Sequence, residues 1–360
     1  MHCLHVLPIL PNRAEEVNAG GFALDLLRRF VRRSTRFPGF RLRSRRRFLT
    51  VRMDTTNRCN LRCRMCPMRL ADRDAGRIWT DIDPDLFEKI RRQVFPLAGT
   101  VGLSCGAEPF CNDRFGHYLA ELYRADVPVR EVVTNGTLMG EEQMGRLLDT
   151  PPNALFVSVD GASPETHASI RGGADLGSVL DSVRRLVRRR DELGNRFPMV
   201  SFSMTLQRSN LDELVGVLGL AADVGAVSVG VVPLVPYRGL GMEPQRLDMR
   251  AERVREALAE AREAAAALGV ELAEASDEGD GEGCPYLSGW VYIDPQGRVN
   301  PCPYWDTSRP LGDLSRQDFG EIWEGRAYRE LRRSVARGRL SGNCRECPVS
   351  SPRGSELQKA

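Results

Sequence analysis

From Phe48 onward the chain alternates short apolar runs with longer segments whose apolar positions recur every three or four residues. The short runs predict strands at Phe48–Asp54, Thr100–Ser104, Arg130–Thr134, Ala154–Val159, Val200–Thr205 and Val227–Val232. Helical spacing is clearest at Leu176, Val179, Leu180, Val183, Leu186 and Val187, and again at Leu211, Leu214, Val215, Leu218 and Ala221. Pro84 stands where a helix would start, as does Pro164 behind Ser163. A first-turn proline suits those places because the N–H it lacks would have no helical partner. Six strand–helix units of this kind predict an α/β protein with a parallel sheet and right-handed crossovers. Such a sheet curls toward a barrel, and chemistry then gathers at the C-terminal ends of its strands.

The pattern changes on both sides of this repeat. In residues 1–47, Phe22, Leu24, Leu26, Leu27, Phe30 and Val31 fall at mixed helical spacings and lead into an arginine-rich run from Arg28 to Arg47. A basic amphipathic helix can lie on a membrane or contact phosphates. Glu15, Glu16 and Asp25 interrupt the pattern and favour a solvated helix packed on the barrel. His2, Cys3 and His5 stay unassigned, since a chain end rarely builds a rigid metal site. Residues 48–270 make the barrel unit, closing with an alanine-rich helix at Ala257–Leu268. An acidic, glycine-rich stretch marks 271–283 as a linker. Beyond it, Trp290–Val299 reads as a β-hairpin turning at Pro295-Gln296-Gly297, and Ile322, Trp323, Tyr328 and Leu331 as a short helix running toward Cys344. This small unit spans 284–349, with a tail at 350–360.

Composition narrows the function classes. The chain has 360 residues and a formal charge of +3, too near balance to imply nucleic-acid affinity. Nearly all its positive charge is arginine, with Lys89 and Lys359 the only lysines. No apolar stretch approaches the ~20 residues that cross a bilayer. Ten cysteines in so large a chain, grouped like ligands and without a signal peptide, argue for metal binding in a reducing cytoplasm rather than for a disulfide scaffold.

The densest group is Cys59, Cys63 and Cys66, spaced C-x3-C-x2-C directly after the first strand. Three thiolates are one too few to close a tetrahedral zinc site. They suit a four-iron cluster with one iron left open for a small-molecule ligand. The segment resembles the radical S-adenosylmethionine (SAM) superfamily. That resemblance implies a partial (β/α)6 TIM-like barrel, with the count of six strands agreeing. It also implies that the open iron chelates SAM, which an electron cleaves to a 5'-deoxyadenosyl radical. Met65 stands where relatives often have an aromatic, and still covers the cluster with an apolar side chain.

Further motifs fall at strand ends. Gly106-Ala107-Glu108-Pro109 resembles the family's Gly-Gly-Glu-Pro, with Ala107 the departure. Small residues there let backbone approach the methionyl amino group, and Glu108 would accept its proton in a charge-assisted bond. Thr134 and Asn135 end the third strand, and Ser158 and Asp160 the fourth. Each pair is either a set of SAM contacts, as the resemblance implies, or turn capping, as Asn135-Gly136 and Asp160-Gly161 allow. Arg171 either pairs with the SAM carboxylate or is a surface arginine, and Thr205 is a weaker candidate of the same kind. Cys105 would lie at a strand mouth, as a hydrogen-atom donor to a substrate radical or as a small buried residue.

The remaining signal is Cys284, then Gly297-x4-Cys302, then Cys344-x2-Cys347. Four thiolates also fit structural zinc. On a hairpin behind the barrel, together with Leu311-Gly312-Asp313-Leu314 and Ile322-Trp323, they resemble the SPASM domain or its shortened twitch form. The resemblance implies a small C-terminal β-hairpin/helix iron–sulfur domain with one auxiliary [4Fe-4S] cluster. Reductive SAM cleavage and hydrogen abstraction follow as expectations, with the auxiliary cluster favouring net oxidation. The expected substrate is a small molecule such as a sugar or aminocyclitol, the alternative a ribosomal peptide. A flavodoxin or ferredoxin would supply electrons. A non-catalytic zinc protein whose basic N-terminus binds RNA is the rival from another class.

Overall fold

The computed structural model describes residues 47–68, 79–237, 239–274, 284, 286–302, 304–340 and 344–345. The basic N-terminal unit, most of the acidic linker, Cys347 and the C-terminal tail lie outside the described residues.

All six expected strands form. They are β1 (Leu49–Met53), β2 (Ala98–Leu103), β3 (Val129–Thr134), β4 (Ala154–Ser158), β5 (Met199–Leu206) and β6 (Ser228–Pro233). Each pairs in parallel with the next. The crossovers carry α1 (Pro84–Gln93), α2 (Phe115–Arg124), α3 (Glu141–Asp149), α4 (Pro164–Arg171), α5 (Leu176–Glu192) and α6 (Leu214–Asp223). The two prolines start helices as expected. Asp83 caps α1 ahead of Pro84, and Ser163 caps α4 ahead of Pro164, each accepting backbone N–H bonds.

Strand β5 shows how the barrel is layered. Val200, Phe202, Met204 and Leu206 join the main apolar core, while the alternate positions are the polar Ser201, Ser203 and Thr205. The polar side is satisfied strand to strand, Ser228 Oγ donating to Ser201 Oγ at 2.7 Å. On the same principle Arg52 of β1 forms a buried ion pair with Glu131 of β3, reaching past β2. Gly102 makes that crossing possible, since a Cβ there would stand 2.0 Å from Arg52 Nη1.

The sheet does not stop at six strands. After α7 (Glu252–Leu268), β7 (Glu271–Glu274) adds in parallel to β6. The first four residues assigned to the linker are therefore strand. At the opposite edge β8 (Trp290–Ile293) pairs in parallel with β1, and β9 (Arg298–Asn300) and β10 (Gly312–Asp313) follow antiparallel. One ten-stranded sheet results, in the order β10-β9-β8-β1-β2-β3-β4-β5-β6-β7. The C-terminal unit is thus an extension of the barrel sheet. Helices α8 (Phe319–Trp323) and α9 (Arg326–Ala336) cover it, with the Arg332 guanidinium 4.1 Å from the Trp323 ring centroid.

Candidate functional site

Cys59, Cys63 and Cys66 lie on the loop that leaves β1, and all three are free thiols. The loop is tied to the neighbouring strand ends at several points. The Glu108 N–H donates to Arg58 O at 3.0 Å, and Asn112 Nδ2 donates to Thr55 O at 2.7 Å. From the end of β3, Asn135 Nδ2 donates to Asn60 Oδ1 at 2.9 Å and lies 4.0 Å from Cys59 Sγ. From α4 the Ile170 carbonyl accepts the Arg64 N–H at 2.9 Å, and the Arg171 carbonyl lies 3.8 Å from Cys63 Sγ. Gly172 ends α4 with φ +61°, and a Cβ there would meet Arg62 O at 2.4 Å. Only glycine lets the helix end and the cysteine loop come this close.

Burial pushes the Cys59 thiol up to about 12 and the Cys63 thiol to about 11, with the neighbouring cysteines adding to the effect. Soft ligands in a poorly solvated loop fit an iron–sulfur cluster, whose binding displaces their protons. Among the described residues no three His, Cys, Asp or Glu close around a single metal ion.

The other expected site residues gather at the same barrel mouth. Glu108 is buried, its carboxylate accepting from Thr134 Oγ1 (2.7 Å), Asn135 N–H (2.7 Å) and Phe110 N–H (3.3 Å). It therefore locks the Gly106-Ala107-Glu108 turn to the end of β3. Burial raises it to about 7 despite those bonds. Asp160 is buried, with one oxygen on the Thr205 N–H at 2.6 Å and the other on Arg171 Nε at 2.5 Å. Arg171 is thus no surface arginine: it is held by Asp160 beside Cys63. Ser158 is buried at the end of β4, opposite Ser203.

Four contributors escaped the sequence reading. Asp54 accepts the N–H groups of Cys105 (2.5 Å) and Gly106 (3.0 Å) and the Tyr292 hydroxyl (2.7 Å). Asn210 donates to the Asp160 and Thr205 carbonyls, at 2.8 and 3.0 Å. Glu213 accepts from the Ala162 and Ser163 N–H groups and both neighbouring hydroxyls, anchoring the start of α4. Tyr237, just past β6, is the fourth. Its hydroxyl is electrostatically coupled to Cys66, Tyr304 and Cys302, and burial, the largest effect, pushes it well above the usual range.

The C-terminal cysteines have a different setting. Cys284, Cys302 and Tyr304 pack against a buried cluster of Tyr286, Trp290 and Tyr292, and so does Cys105. Tyr286 stands edge-on to Trp290 and to Tyr304, with centroids 5.7 and 6.1 Å apart. An all-sulfur donor set against aromatic walls fits an iron–sulfur cluster in chemistry. Cys105 is disulfide-bonded in this structure. Two open clefts among the described residues, about 450 Å³ along α5 and about 250 Å³ between Phe110 and Arg146, touch none of these cysteines.

Comparison with known proteins agrees with this geometry. The model of the radical SAM superfamily matches residues 53–221, and that of an iron-sulfur cluster-binding domain, SPASM, matches 284–348. An AdoMet-dependent heme synthase of Methanosarcina barkeri is 26% identical over 323 residues, covering 82% of this chain and 87% of that protein. The mycofactocin maturase MftC of Mycolicibacterium smegmatis is 27% identical over 311 residues, covering 82% and 74%. Streptococcus suis SuiB, in its crystal structure bound to precursor peptide SuiA, shares the fold with a TM-score of 0.66 at 13% identity, over 95% of this chain and 78% of that one. The chain thus carries a radical SAM domain at residues 53–221, which holds the cysteine loop and the strand-end motifs, and an iron–sulfur cluster-binding SPASM domain at residues 284–348.

Proposed function

We propose that this radical SAM enzyme oxidises a small organic molecule seated between its two cysteine sites. The observation that carries the proposal is Tyr237, just past β6, whose buried hydroxyl is coupled electrostatically to Cys66 and also to Cys302 and Tyr304. A substrate beside it would be within reach of both cysteine sites. When bound at Cys59, Cys63 and Cys66, a [4Fe-4S] cluster would supply the electron for reductive SAM cleavage, and an auxiliary cluster at the C-terminal cysteines would accept the electron released as the substrate is oxidised. Cys59, Cys63 and Cys66 hold the first cluster. The backbone of Gly106 and Ala107, fixed by Asp54 and Glu108, faces the methionyl amino group. Arg171, oriented by Asp160, serves the SAM carboxylate, while Asn135 and Ser158 line the nucleoside side. A ferredoxin-type protein delivers the electron.

The heme synthase relatives support a small-molecule substrate. A tetrapyrrole-type molecule therefore stands beside the sugar or aminocyclitol expected from the sequence. Peptide modification is the second reading, supported by the similarity to MftC. The test is anaerobic incubation of reconstituted enzyme with dithionite, SAM and deuterated candidates of each class. The proposal predicts 5'-deoxyadenosine carrying deuterium from a tetrapyrrole-type small molecule. Deuterium arriving only from peptides would replace it with the second reading, and no deoxyadenosine at all would refute both.

A further inference from the structure

Cys105 has no place in the reading above, and its surroundings point to one. It is the residue at which β2 leaves the sheet, directly before the Gly106-Ala107-Glu108 turn. Asp54 grips its N–H at 2.5 Å through Oδ1, while Oδ2 takes the Tyr292 hydroxyl at 2.7 Å. The end of β2 is thereby bolted across β1 to β8. The side chain of Cys105 packs on the Tyr286, Trp290 and Tyr292 cluster, the same surface that receives Cys284 and Cys302. Those two belong to the matched iron-sulfur cluster-binding domain, whereas Cys105 belongs to the barrel. Its sulfur is disulfide-bonded, whereas those of Cys284 and Cys302 are free thiols. The backbone also aims it there. Ser104 takes φ +79°, a conformation that costs a non-glycine residue energy, and its hydroxyl donates to Ala107 O at 2.6 Å to hold the turn.

We propose that Cys105 is a thiolate ligand of the auxiliary cluster, joining Cys284 and Cys302 from the barrel side, so that the Cys344-x2-Cys347 pair supplies only one of the four thiolates. This deepens the two-cluster reading and rests on it. A cluster held this way is a cross-link between the barrel and the C-terminal unit, placed one residue from the turn that faces SAM. Loading requires the disulfide to be opened first. Two electrons and two protons from a dithiol reductant convert it to two thiols, and the Cys105 thiol then gives up its proton as it binds iron. Soft sulfur donors on all sides select iron over hard cations.

The test removes the first cluster by substituting Cys59, Cys63 and Cys66 together with alanine in the full chain, then reconstitutes anaerobically with iron, sulfide and excess dithiol. This parent should hold about four irons. Adding Cys105→Ala should lower that by at least half. Adding Cys105→Ser should keep iron but shift the reduced cluster's electron paramagnetic resonance signal, because oxygen replaces one sulfur. The serine variant carries the test if the alanine variant does not fold. Parental iron and an unchanged signal in the variants that fold would overturn the role of Cys105 while leaving two clusters in place. A parent that binds no iron would overturn the two-cluster reading itself, and this inference with it.

Discussion

The two cysteine sites of this chain are held by opposite kinds of force. The loop of Cys59, Cys63 and Cys66 is fixed by hydrogen bonds from the ends of β2 and β3 and from α4, with Gly172 allowing the closest approach. The site of Cys284 and Cys302 rests on aromatic packing, with Asp54 as its main polar tie to the barrel. Directional bonds pre-set a loop that must present an open coordination position.

This contrast can be broken from either side. The largest effect is expected at Trp290, buried at the centre of the aromatic cluster. Trp290→Ala should cost about 3–5 kcal/mol, lowering the melting temperature and depleting auxiliary iron while SAM cleavage persists. Equal loss of iron from both sites would show that the two are not independently held. Gly172→Ala acts on the first site. A methyl group at φ +61° and 2.4 Å from Arg62 O should cost about 1–3 kcal/mol and reduce loading of the first cluster. Retained loading, measured as SAM-dependent change in the cluster's spectrum, would deny that this contact positions the loop.

The third effect is one of pH. Burial raises Glu108 to about 7 from its ordinary 4.5. Between these values the folded chain holds a proton that the unfolded chain has lost, so Glu108 makes stability fall as pH rises from about 4.5 to about 7. His167 works the other way. Burial lowers it to about 4 from 6.5, so its contribution is present above 6.5 and falls away as pH drops toward 4. In Glu108→Gln the decline with rising pH should disappear, leaving the His167 slope exposed in melting temperatures measured from pH 5 to 8. An unchanged profile would mean that Glu108 is already ionised in the folded protein.

The six barrel strands, the capped starts of α1 and α4, and the cysteine loop were legible because each is written in neighbouring residues. Strand β7 was missed because its Glu271 and Glu274 are charges of the kind that protect a sheet edge, which hide the apolar signature of a strand. The role of Asp54 depends on Tyr292, 238 positions away, and Asn210 acts on a carbonyl 50 positions away. No local spacing encodes such partners. Glu108 was read correctly as a residue of the barrel mouth, but its bonds to Thr134 and Asn135 appear only once β2 and β3 lie side by side. Tyr237 carried no motif at all, and what marks it is its electrostatic coupling to cysteines of both sites.

The most direct test of two separate sites is a paired measurement on anaerobically reconstituted protein, comparing Cys63→Ala with Cys302→Ala for iron content and dithionite-driven formation of 5'-deoxyadenosine. The parent should hold about eight irons, and each variant should lose about half of them. Cys63→Ala should form no deoxyadenosine, whereas Cys302→Ala should still cleave SAM. Deoxyadenosine from Cys63→Ala at the parent rate, or full iron retained in Cys302→Ala, would contradict the account.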